Sequence, residues 1–424
     1  MSDQTLTQNR ANRSVLDVIA RVMERLVPDA LTTCIFLMVA LVVLSMGLGG
    51  GVGGTVDAYY RGLWSLLGFT MQMTLILVLS LILGATPIFT RTIDALSPVI
   101  AIHFAREAER KGIPIDFIFL MATLAGAGSV WQFGFSASAP LLMATPGHFL
   151  EKTTGVMPLT TTIWSPAALV LVTVFMASVV AVGTLMMPKQ VRPLSQFVTD
   201  PPAPDVAAAA AESTDKTFAK RLERSRLVLM PLAVMLAAWI YQHFIVKGLS
   251  LDINSVNTIV MLLGVLLHGT VAQYTRALQD AVARAWPIVV MYHLYAGVAG
   301  LIQFTPVGDF LINLFRPILT PYSYPTLTAL ISTVVATFIP TSGGQWLIQG
   351  FVTVETAALV GVSPQRGLLA LSVGDHMGNL IAPFWAVVGA SIANIDFRLY
   401  FGYRLVFAAL WFTLGVAAFT FLPC

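Results

Sequence analysis

Residues 367–394 read GLLALSVGDHMGNLIAPFWAVVGASIAN, and this stretch decides the fold. It is long enough to cross a bilayer, for which about 20 apolar residues suffice. Its middle nevertheless holds Asp375, His376, Asn379 and Pro383, with two glycines among them. An ionisable group at bilayer depth is costly where it faces lipid, and a helix break exposes backbone groups that need protein or water partners. The stretch therefore predicts an interrupted membrane helix beside a polar cavity. A kinked helix whose Asp and Asn bond a neighbouring helix is the alternative.

A second interrupted region, Pro340–Gly350, reads PTSGGQWLIQG and lies between two apolar arms, Leu327–Ile339 and Phe351–Val360. Apolar runs of about 10–14 residues indicate re-entrant or buried helices rather than spanning ones. The arms therefore predict a re-entrant helical hairpin over residues 327–360. A helix that begins just after Gly344 would point free N–H groups and its positive dipole end into the membrane, which suits a small anion. An ordinary external turn is the alternative.

The composition indicates a membrane protein. Of the 424 residues, 57% are apolar and 11% are charged, and the mean hydropathy is +0.80. Soluble domains have about 25% charged residues, so we expect an all-α polytopic membrane protein. The two cysteines, Cys34 and Cys424, are far apart and predict neither a disulfide framework nor a metal site. Residues 1–28 lack the apolar core of a cleaved signal and predict an interfacial helix.

The apolar runs give the order of the membrane segments. Spans are predicted at about 30–50, 67–89, 165–187, 227–246, 255–272, 286–304 and 400–421, with a long interrupted segment at 114–150 and interfacial pieces at Tyr59–Trp64, 91–111 and 307–319. Residues 188–226 are polar and predict a linker outside the bilayer. Basic residues concentrate in the N-terminus, the 91–111 piece and this linker, which places all three in the cytoplasm.

A weak internal repeat divides the chain into two units, 29–187 and 255–424, joined by the 188–226 linker and a linking membrane helix at 227–254. The repeat rests on paired motifs: Thr86-Pro87 with Thr305-Pro306, and Ala139-Pro140 with Ala382-Pro383. It sets Gln132 opposite Asp375 and Ser136 opposite Asn379, each pair spaced four apart and hence on one helical face. The extra crossing turns the second unit upside down. An inverted repeat with broken helices is the layout of many secondary transporters.

Several motifs resemble those of one family. They are Arg61-Gly-Leu-Trp-Ser-Leu-Leu-Gly-Phe-Thr-Met-Gln-Met, Phe104-Ala-Arg-Glu, Ser138-Ala-Pro-Leu-Leu-Met-Ala-Thr-Pro-Gly, Ser342-Gly-Gly-Gln-Trp-Leu-Ile-Gln-Gly and Ala382-Pro-Phe-Trp-Ala. Together they resemble the bacterial short-chain fatty acid transporters over nearly the whole chain. The resemblance implies an inner-membrane uptake carrier for acetoacetate- or butyrate-type monocarboxylates, within the ion-transporter superfamily. Relatives there use two hairpins, two broken helices and often a homodimer.

The chain departs from the family pattern in one place. Family members have an apolar stretch with Asn-Trp-Gly-Phe-Gly before the Ala-Arg-Glu motif, whereas here residues 96–104 lead straight into Ala105. The repeat shows the same gap, because the first unit has only residues 91–112 where the second has 305–365, including the hairpin. We therefore expect the first unit to lack its hairpin. A non-transporting remnant is one alternative that this leaves open.

A short-chain carboxylate needs an anion site and a small apolar pocket for its tail. The candidate binding residues are Ser342, Gly343, Gly344, Gln345, Trp346, Gln349, Asn379 and Pro383 from the second unit, and Gln132, Ser136 and Ser138 from the first. The aromatic candidates Trp131, Phe384 and Trp385 either line the tail pocket or simply pack. No Lys or Arg occurs in 327–365 or 116–151, which argues against an arginine clamp.

Asp375 and His376 are the candidates for ion coupling. We hypothesise proton symport, in which Asp375 takes up a proton outside and releases it inside while a carboxylate travels with it. Sodium coupling through Asn379 and unwound carbonyls is the alternative, and a passive weak-acid channel is another. The sequence has no Gly-x-x-x-x-Gly-Lys-Ser/Thr loop and no Gly-x-Ser-x-Gly elbow, so neither ATP-driven transport nor hydrolysis is expected. We expect no cofactor, no metal and no nucleic-acid partner.

Overall fold

The computed structural model describes residues 30–65, 67–86, 97–134, 137–188, 191–197, 217–339, 341–382 and 395–423. In the first part of the chain the helices are α1 (Ala30–Gly47), α2 (Val52–Ser65), α3 (Leu67–Gly84), α4 (Ser97–Arg110), α5 (Phe117–Ala127), α6 (Ser138–Met143), α7 (Glu151–Thr154) and α8 (Pro166–Met186). In the second part they are α9 (Phe218–Glu223), α10 (Met230–Tyr241), α11 (Ile253–His268), α12 (Val271–Phe304), α13 (Val307–Phe315), α14 (Ser323–Phe338), α15 (Ser342–Leu359), α16 (Pro364–Ile381) and α17 (Arg398–Phe421).

All regular secondary structure in the described residues is helical, which confirms the predicted all-α class. Five helical stretches there are long and apolar enough to cross a membrane: Val52–Gly84, Phe117–Met143, Pro166–Met186, Arg226–Val246 and Arg398–Phe421. A bent pair, Val289–Phe304 with Val307–Ile318, passes the same criteria across a 72° break. The predicted spans 30–50 and 255–272 form shorter apolar helices, α1 and α11. The predicted interfacial helix at 1–28 lies outside the described residues.

The first interrupted segment, predicted at 114–150, is broken as expected. A 3-10 helix, Gly128–Phe133, continues α5, and Gly134 is then extended before α6 begins at Ser138. Asp116 starts the segment by accepting a hydrogen bond of 2.7 Å from the backbone N–H of Phe119, which caps α5. The broken region therefore lies in the middle of the segment, where it brings Gln132 into the protein interior.

The loop predicted between spans 255–272 and 286–304 is helical instead. α11 ends at His268 because Gly269 adopts a left-handed φ of +74°, which closes the helix. Thr270 then caps the start of α12 by accepting a hydrogen bond from the backbone N–H of Gln273. α12 runs for 34 residues and contacts α1, α2, α3 and α15. The charged residues between the two predicted spans lie on its N-terminal part.

The stretch predicted to be interfacial, Tyr59–Trp64, lies within α2, which packs lengthwise against α12. Glycines allow this close approach, since a Cβ on Gly62 would come within 2.7 Å of the Gly300 Cα. On the other helix, a Cβ on Gly297 would lie 2.5 Å from the Tyr59 ring. The stretch is therefore helical and takes part in a helix–helix contact through Gly62 and Tyr59, while its interfacial position stays a prediction.

In the region of the predicted re-entrant hairpin the structure has two antiparallel helices, α14 and α15. Tyr324 donates from its Oη to the Thr353 carbonyl at 2.7 Å, and Gln345 donates from its Nε2 to Ser332 Oγ at 2.7 Å. Tyr324 precedes Ser332 on α14, whereas its partner Thr353 follows Gln345 on α15, so the two helices run in opposite directions. These two hydrogen bonds hold the arms together at both ends.

The tip of this hairpin is shorter than the sequence indicates. α15 begins at Ser342 rather than after Gly344, so most of the predicted tip, Pro340–Gly350, forms its first two turns. The arms have 16 and 18 residues, which makes them about 24 and 27 Å long. Both lengths fall below the roughly 30 Å of a bilayer's hydrocarbon core.

The glycines beside Asp375 do not break α16, which stays helical to Ile381. They let α16 lie against α14 instead. A Cβ on Gly374 would overlap the Ala329 carbonyl oxygen, and one on Gly378 would lie 2.5 Å from the Thr333 carbonyl oxygen. The predicted interruption is therefore confined to the end of the helix, and the glycines serve helix contact.

The described start of the predicted 188–226 linker is packed against the protein. Arg192 forms a bidentate ion pair with Asp116, with its Nε at 2.7 Å and its Nη2 at 2.9 Å from the carboxylate oxygens. The backbone N–H of Phe117 also donates to the Arg192 carbonyl at 2.9 Å, and Leu194 is buried. The part of the predicted linker at residues 191–197 is therefore packed against the protein rather than free of it.

Replacing Gly374 tests the contact between α14 and α16. Gly374→Ala puts a methyl group where the Ala329 carbonyl lies. We expect it to lower the free energy of unfolding by about 1–3 kcal/mol or more, the range for overpacked cores. The measurement is thermal unfolding of purified protein in detergent.

The matched control is Gly183→Ala in α8, where an added Cβ has no atom within 4 Å. Because alanine favours a helix by about 0.5–1 kcal/mol over glycine, this control should unfold at an equal or higher temperature. Equal behaviour of the two variants would show that the α14–α16 contact is not tight.

Candidate functional site

The site lies where several helices begin or end. Ala329 lies beside Gly374, and Thr333 lies beside Gly378, so the contacts advance along both helices and α14 runs parallel to α16. Their C-terminal ends therefore reach one level, where α15 begins at Ser342. Helix ends leave backbone N–H and C=O groups without partners in their own helix. Such groups at bilayer depth need protein, water or a ligand.

At this level a polar network connects the two halves of the chain. Asp375 is fully buried and accepts hydrogen bonds from Gln132 Nε2 and from Asn379 Nδ2, the latter at 3.1 Å. Ser342 donates from its Oγ to Gln132 Oε1 at 3.1 Å. Gln132 thus bonds both the carboxylate of α16 and the first residue of α15. All four side chains are buried.

This network brings together predicted residues from three separate parts of the sequence. The repeat alignment set Gln132 opposite Asp375, and the structure places the two in direct contact. Ser136, Pro383, Phe384 and Trp385 lie outside the described residues. Among those described, no group of three or more His, Cys, Asp or Glu residues could hold a metal ion.

The glycines at the start of α15 face hydroxyl groups rather than open space. A Cβ on Gly343 would lie 2.9 Å from Tyr292 Oη and 3.1 Å from Ser138 Oγ. One on Gly344 would lie 2.7 Å from the ring of Tyr295. Ser138, a predicted candidate, therefore lies beside the hairpin tip. The two tyrosines come from α12 and had no signal in the sequence beyond their position on an apolar helix.

Three other candidates face away from Asp375. Gln345 is fully buried, and its Nε2 donates to Ser332 and, at 3.0 Å, to Gln349 Oε1, so both glutamines lie between the hairpin arms. Trp346 is also fully buried and belongs to the main hydrophobic cluster. These positions suit a structural role in the hairpin, because the bonds hold its arms together.

His376 lies next to Asp375 but in different surroundings. Its side chain is 4% exposed, and neither ring nitrogen has a hydrogen-bond partner among the described residues. Its ring meets two tryptophans edge to face, with centroid distances of 6.2 Å to Trp131 and 5.6 Å to Trp411. Trp131 was predicted for this region, whereas Trp411 was not.

The sequence reasoning missed Arg404, because it considered basic residues only within 116–151 and 327–365. Arg404 belongs to α17, outside the two stretches that lack basic residues, and it is 5% exposed. It donates from Nη2 to the Asn379 carbonyl at 2.8 Å, at the end of α16. A signal was present, because an ionisable residue inside an apolar span indicates function by default.

The site therefore has two parts. In one, the Asp375 carboxylate accepts hydrogen bonds from neutral amides. In the other, the Arg404 guanidinium and the His376 imidazole are buried near the end of α16. The site offers no nucleophile activated by a general base, because His376 bonds no Ser, Thr or Cys among the described residues. It is suited to binding a small polar group and to holding or releasing a proton or cation.

Comparison with known proteins identifies the family. The family model for short chain fatty acid transporters matches residues 12–100 and 95–422. Two relatives are each described as a putative short-chain fatty acid transporter. The one from Haemophilus influenzae is 28% identical, covering 93% of this chain and 97% of its own, and the one from Escherichia coli is 27% identical, covering 94% and 98%.

The fold is also found in a solved structure. The Alcanivorax borkumensis YdaH transporter matches 93% of this chain and 98% of its own, with a TM-score of 0.55 and 15% sequence identity. At that identity the likeness concerns the fold alone. The family model, in contrast, covers nearly the whole sequence, and the chain belongs to the short-chain fatty acid transporter family.

Proposed function

We propose that this protein takes up short-chain monocarboxylates such as butyrate or acetoacetate by symport with protons. Family membership supports transport of short-chain fatty acids. The observation that carries the coupling proposal is the fully buried Asp375, bonded only to neutral groups among the described residues. In a water-poor site a carboxylate without a cationic partner gains from binding a proton or cation.

Proton binding at Asp375 would change its hydrogen bonds to both halves of the chain. When ionised, the carboxylate only accepts hydrogen bonds, and Gln132 and Asn379 supply amide donors. When protonated, it also has a hydroxyl to donate. The same side chain of Gln132 accepts a hydrogen bond from Ser342 at the hairpin tip. Protonation of Asp375 is thus linked through one residue to the start of α15.

Sodium coupling is a second candidate, favoured by the oxygen atoms in the network. The Asp375 carboxylate, Gln132 Oε1, Ser342 Oγ and the side chain of Asn379 are all buried together. In other secondary transporters, such oxygens and unwound backbone carbonyls coordinate sodium or receive protons. A sodium gradient therefore has to be an arm of every uptake test.

The orientation follows from the basic residues. We place the protein in the bacterial inner membrane with its N-terminus and the 188–226 linker in the cytoplasm, because both are rich in Lys and Arg. The short arms of the α14–α15 hairpin support a re-entrant hairpin that dips into the membrane and returns. We also propose that the chain contains the inverted repeat indicated by its paired motifs and forms the homodimer that the family resemblance implies.

Asp375→Asn tests the coupling role. The amide keeps the shape of the side chain but cannot take up a proton. We expect accumulation of labelled butyrate driven by an imposed pH gradient to fall at least about tenfold, a loss of about 1.4 kcal/mol in driving force. Exchange of butyrate across the membrane without a gradient should remain. The measurement is uptake and counterflow in proteoliposomes, with and without a sodium gradient, and protein-free liposomes serve to subtract diffusion.

The control is Asp309→Asn, which removes an exposed carboxylate at the start of α13. It should keep the full response to the gradient. An Asp375→Asn protein that responds to pH as the unmodified protein does would exclude Asp375 from coupling. Butyrate flux without accumulation in the unmodified protein would indicate a channel, and neither flux nor exchange would indicate a remnant.

Competition by carboxylates of two to six carbons tests the substrate class. A pocket built for a short tail should prefer one chain length, because each methylene is worth about 1–3 kcal/mol in an apolar pocket. We expect inhibition of butyrate uptake to peak near four carbons, and butyramide, which lacks the charge, not to inhibit. The assay is run with and without a sodium gradient. Equal inhibition by all chain lengths would contradict a shaped tail pocket.

A further inference from the structure

The last helix, α17, runs antiparallel to α16 and packs against it. Trp411 donates from Nε1 to the Val373 carbonyl at 3.1 Å, and further along, Arg366 of α16 donates to the Leu422 carbonyl at 2.9 Å. His376 and Arg404 lie at the other end of this helix contact, towards the end of α16. Trp131, from the 3-10 helix of the first half, lies against the His376 ring.

The guanidinium of Arg404 lacks an anionic partner among the described residues. Its side chain is 5% exposed, and among the described residues no carboxylate pairs with it. The bond to the Asn379 carbonyl places one end of the guanidinium at the negative end of the α16 dipole. Nε is buried without any partner. A buried cation normally pairs with an anion, because desolvation without pairing is expensive.

His376, on α16, also has nitrogen atoms without hydrogen-bond partners among the described residues. It precedes Asn379 by three residues, which places the two on one face of α16. Both of its ring nitrogens are buried without partners. Asp375 does not satisfy either group, because its described bonds go to Gln132 and Asn379. Two buried side chains from different helices thus carry nitrogen atoms without partners among the described residues, and the ring of one of them, His376, lies between two tryptophan rings.

We propose that Arg404 and His376 bind the carboxylate of the transported acid, with the rings of Trp131 and Trp411 beside its hydrocarbon tail. The inference rests on the proposed function and assigns its anion site. Arg404 Nε and a ring N–H of His376 supply two donors, and the guanidinium supplies the charge. The carboxylate then lies beside α16 and α17, not at the start of α15. Asp375 and Gln132 are left to the coupling ion.

The competing explanation is that Arg404 is only a cap for the C-terminal end of α16. That role uses Nη2 and gives stability without any effect on substrate. It predicts that a variant unfolds at a lower temperature but binds butyrate as before. Binding and stability therefore have to be measured separately, on the same preparations.

The test compares Arg404→Gln, Arg404→Lys and His376→Gln in the full-length protein. Butyrate binding is measured in detergent by the thermal shift it produces, and KM and kcat are measured in proteoliposomes. We expect Arg404→Gln to raise the Kd and KM for butyrate about tenfold or more, the scale of losing a hydrogen bond to a charged group. His376→Gln should raise them less, and Arg404→Lys should lie between because it keeps the charge but loses the fork.

The matched control is Arg366→Gln, since Arg366 also donates from Nη2 to a backbone carbonyl, that of Leu422. It should leave the Kd for butyrate unchanged. An Arg404→Gln protein with a normal Kd overturns the proposal and leaves the cap. If Arg404→Gln does not insert, unchanged Kd values for Arg404→Lys and His376→Gln overturn it. Absence of butyrate binding by the unmodified protein would instead refute the proposed function.

Discussion

The carboxylate of Asp375 has to find its hydrogen-bond partners within the protein, because the hydrocarbon core of a membrane supplies none. The fold meets this requirement with two amides, one from the first half of the chain and one from the next turn of α16. Gln132 can reach Asp375 only because α5 gives way to a 3-10 helix and then to extended backbone at Gly134. The interruption after α5 thus provides a hydrogen-bond donor for the buried carboxylate of α16.

The sequence was informative where polarity interrupts an apolar pattern. Asp375, Asn379, Gln132 and the Ser342 tip all stood out for this reason, and the weak repeat aligned Gln132 with Asp375. The structure places these residues in one network. Polarity at bilayer depth has few permissible locations, so a pattern alone can predict such a meeting.

The sequence was less informative about what a residue does once it is there. Gly374 and Gly378 suggested a break in the helix, yet they permit contact with α14. A glycine suits either role because it has no side chain. Gln345 looked like a ligand residue but links the arms of the hairpin. Arg404 was overlooked because the search for a cation followed sequence proximity to the hairpin. Its place beside Asn379 depends on how α17 packs against α16.

The family model matches the chain in two parts, and these parts meet where the first predicted unit has fewer residues than the second. Its two parts, 12–100 and 95–422, meet at residues 95–100, next to the Ala-Arg-Glu motif. The polar network uses little from this region, because its first-half member, Gln132, comes from the interrupted segment that follows. The described network therefore contains no residue from 91–112.

The glycine contacts between α14 and α16 also restrict how the protein can move. Carbonyl oxygens of α14 occupy the space that side chains would need, and Ser332 of α14 donates to the Leu371 carbonyl of α16 at 2.7 Å. Together with the bonds between the hairpin arms, these contacts join α14, α15 and α16 to one another. In the proposed carrier, a motion that opens Asp375 first to one side and then to the other would move these three helices together. The boundary of that motion would then pass through the hydrogen bonds of the uncharged Gln132, which can break without separating opposite charges.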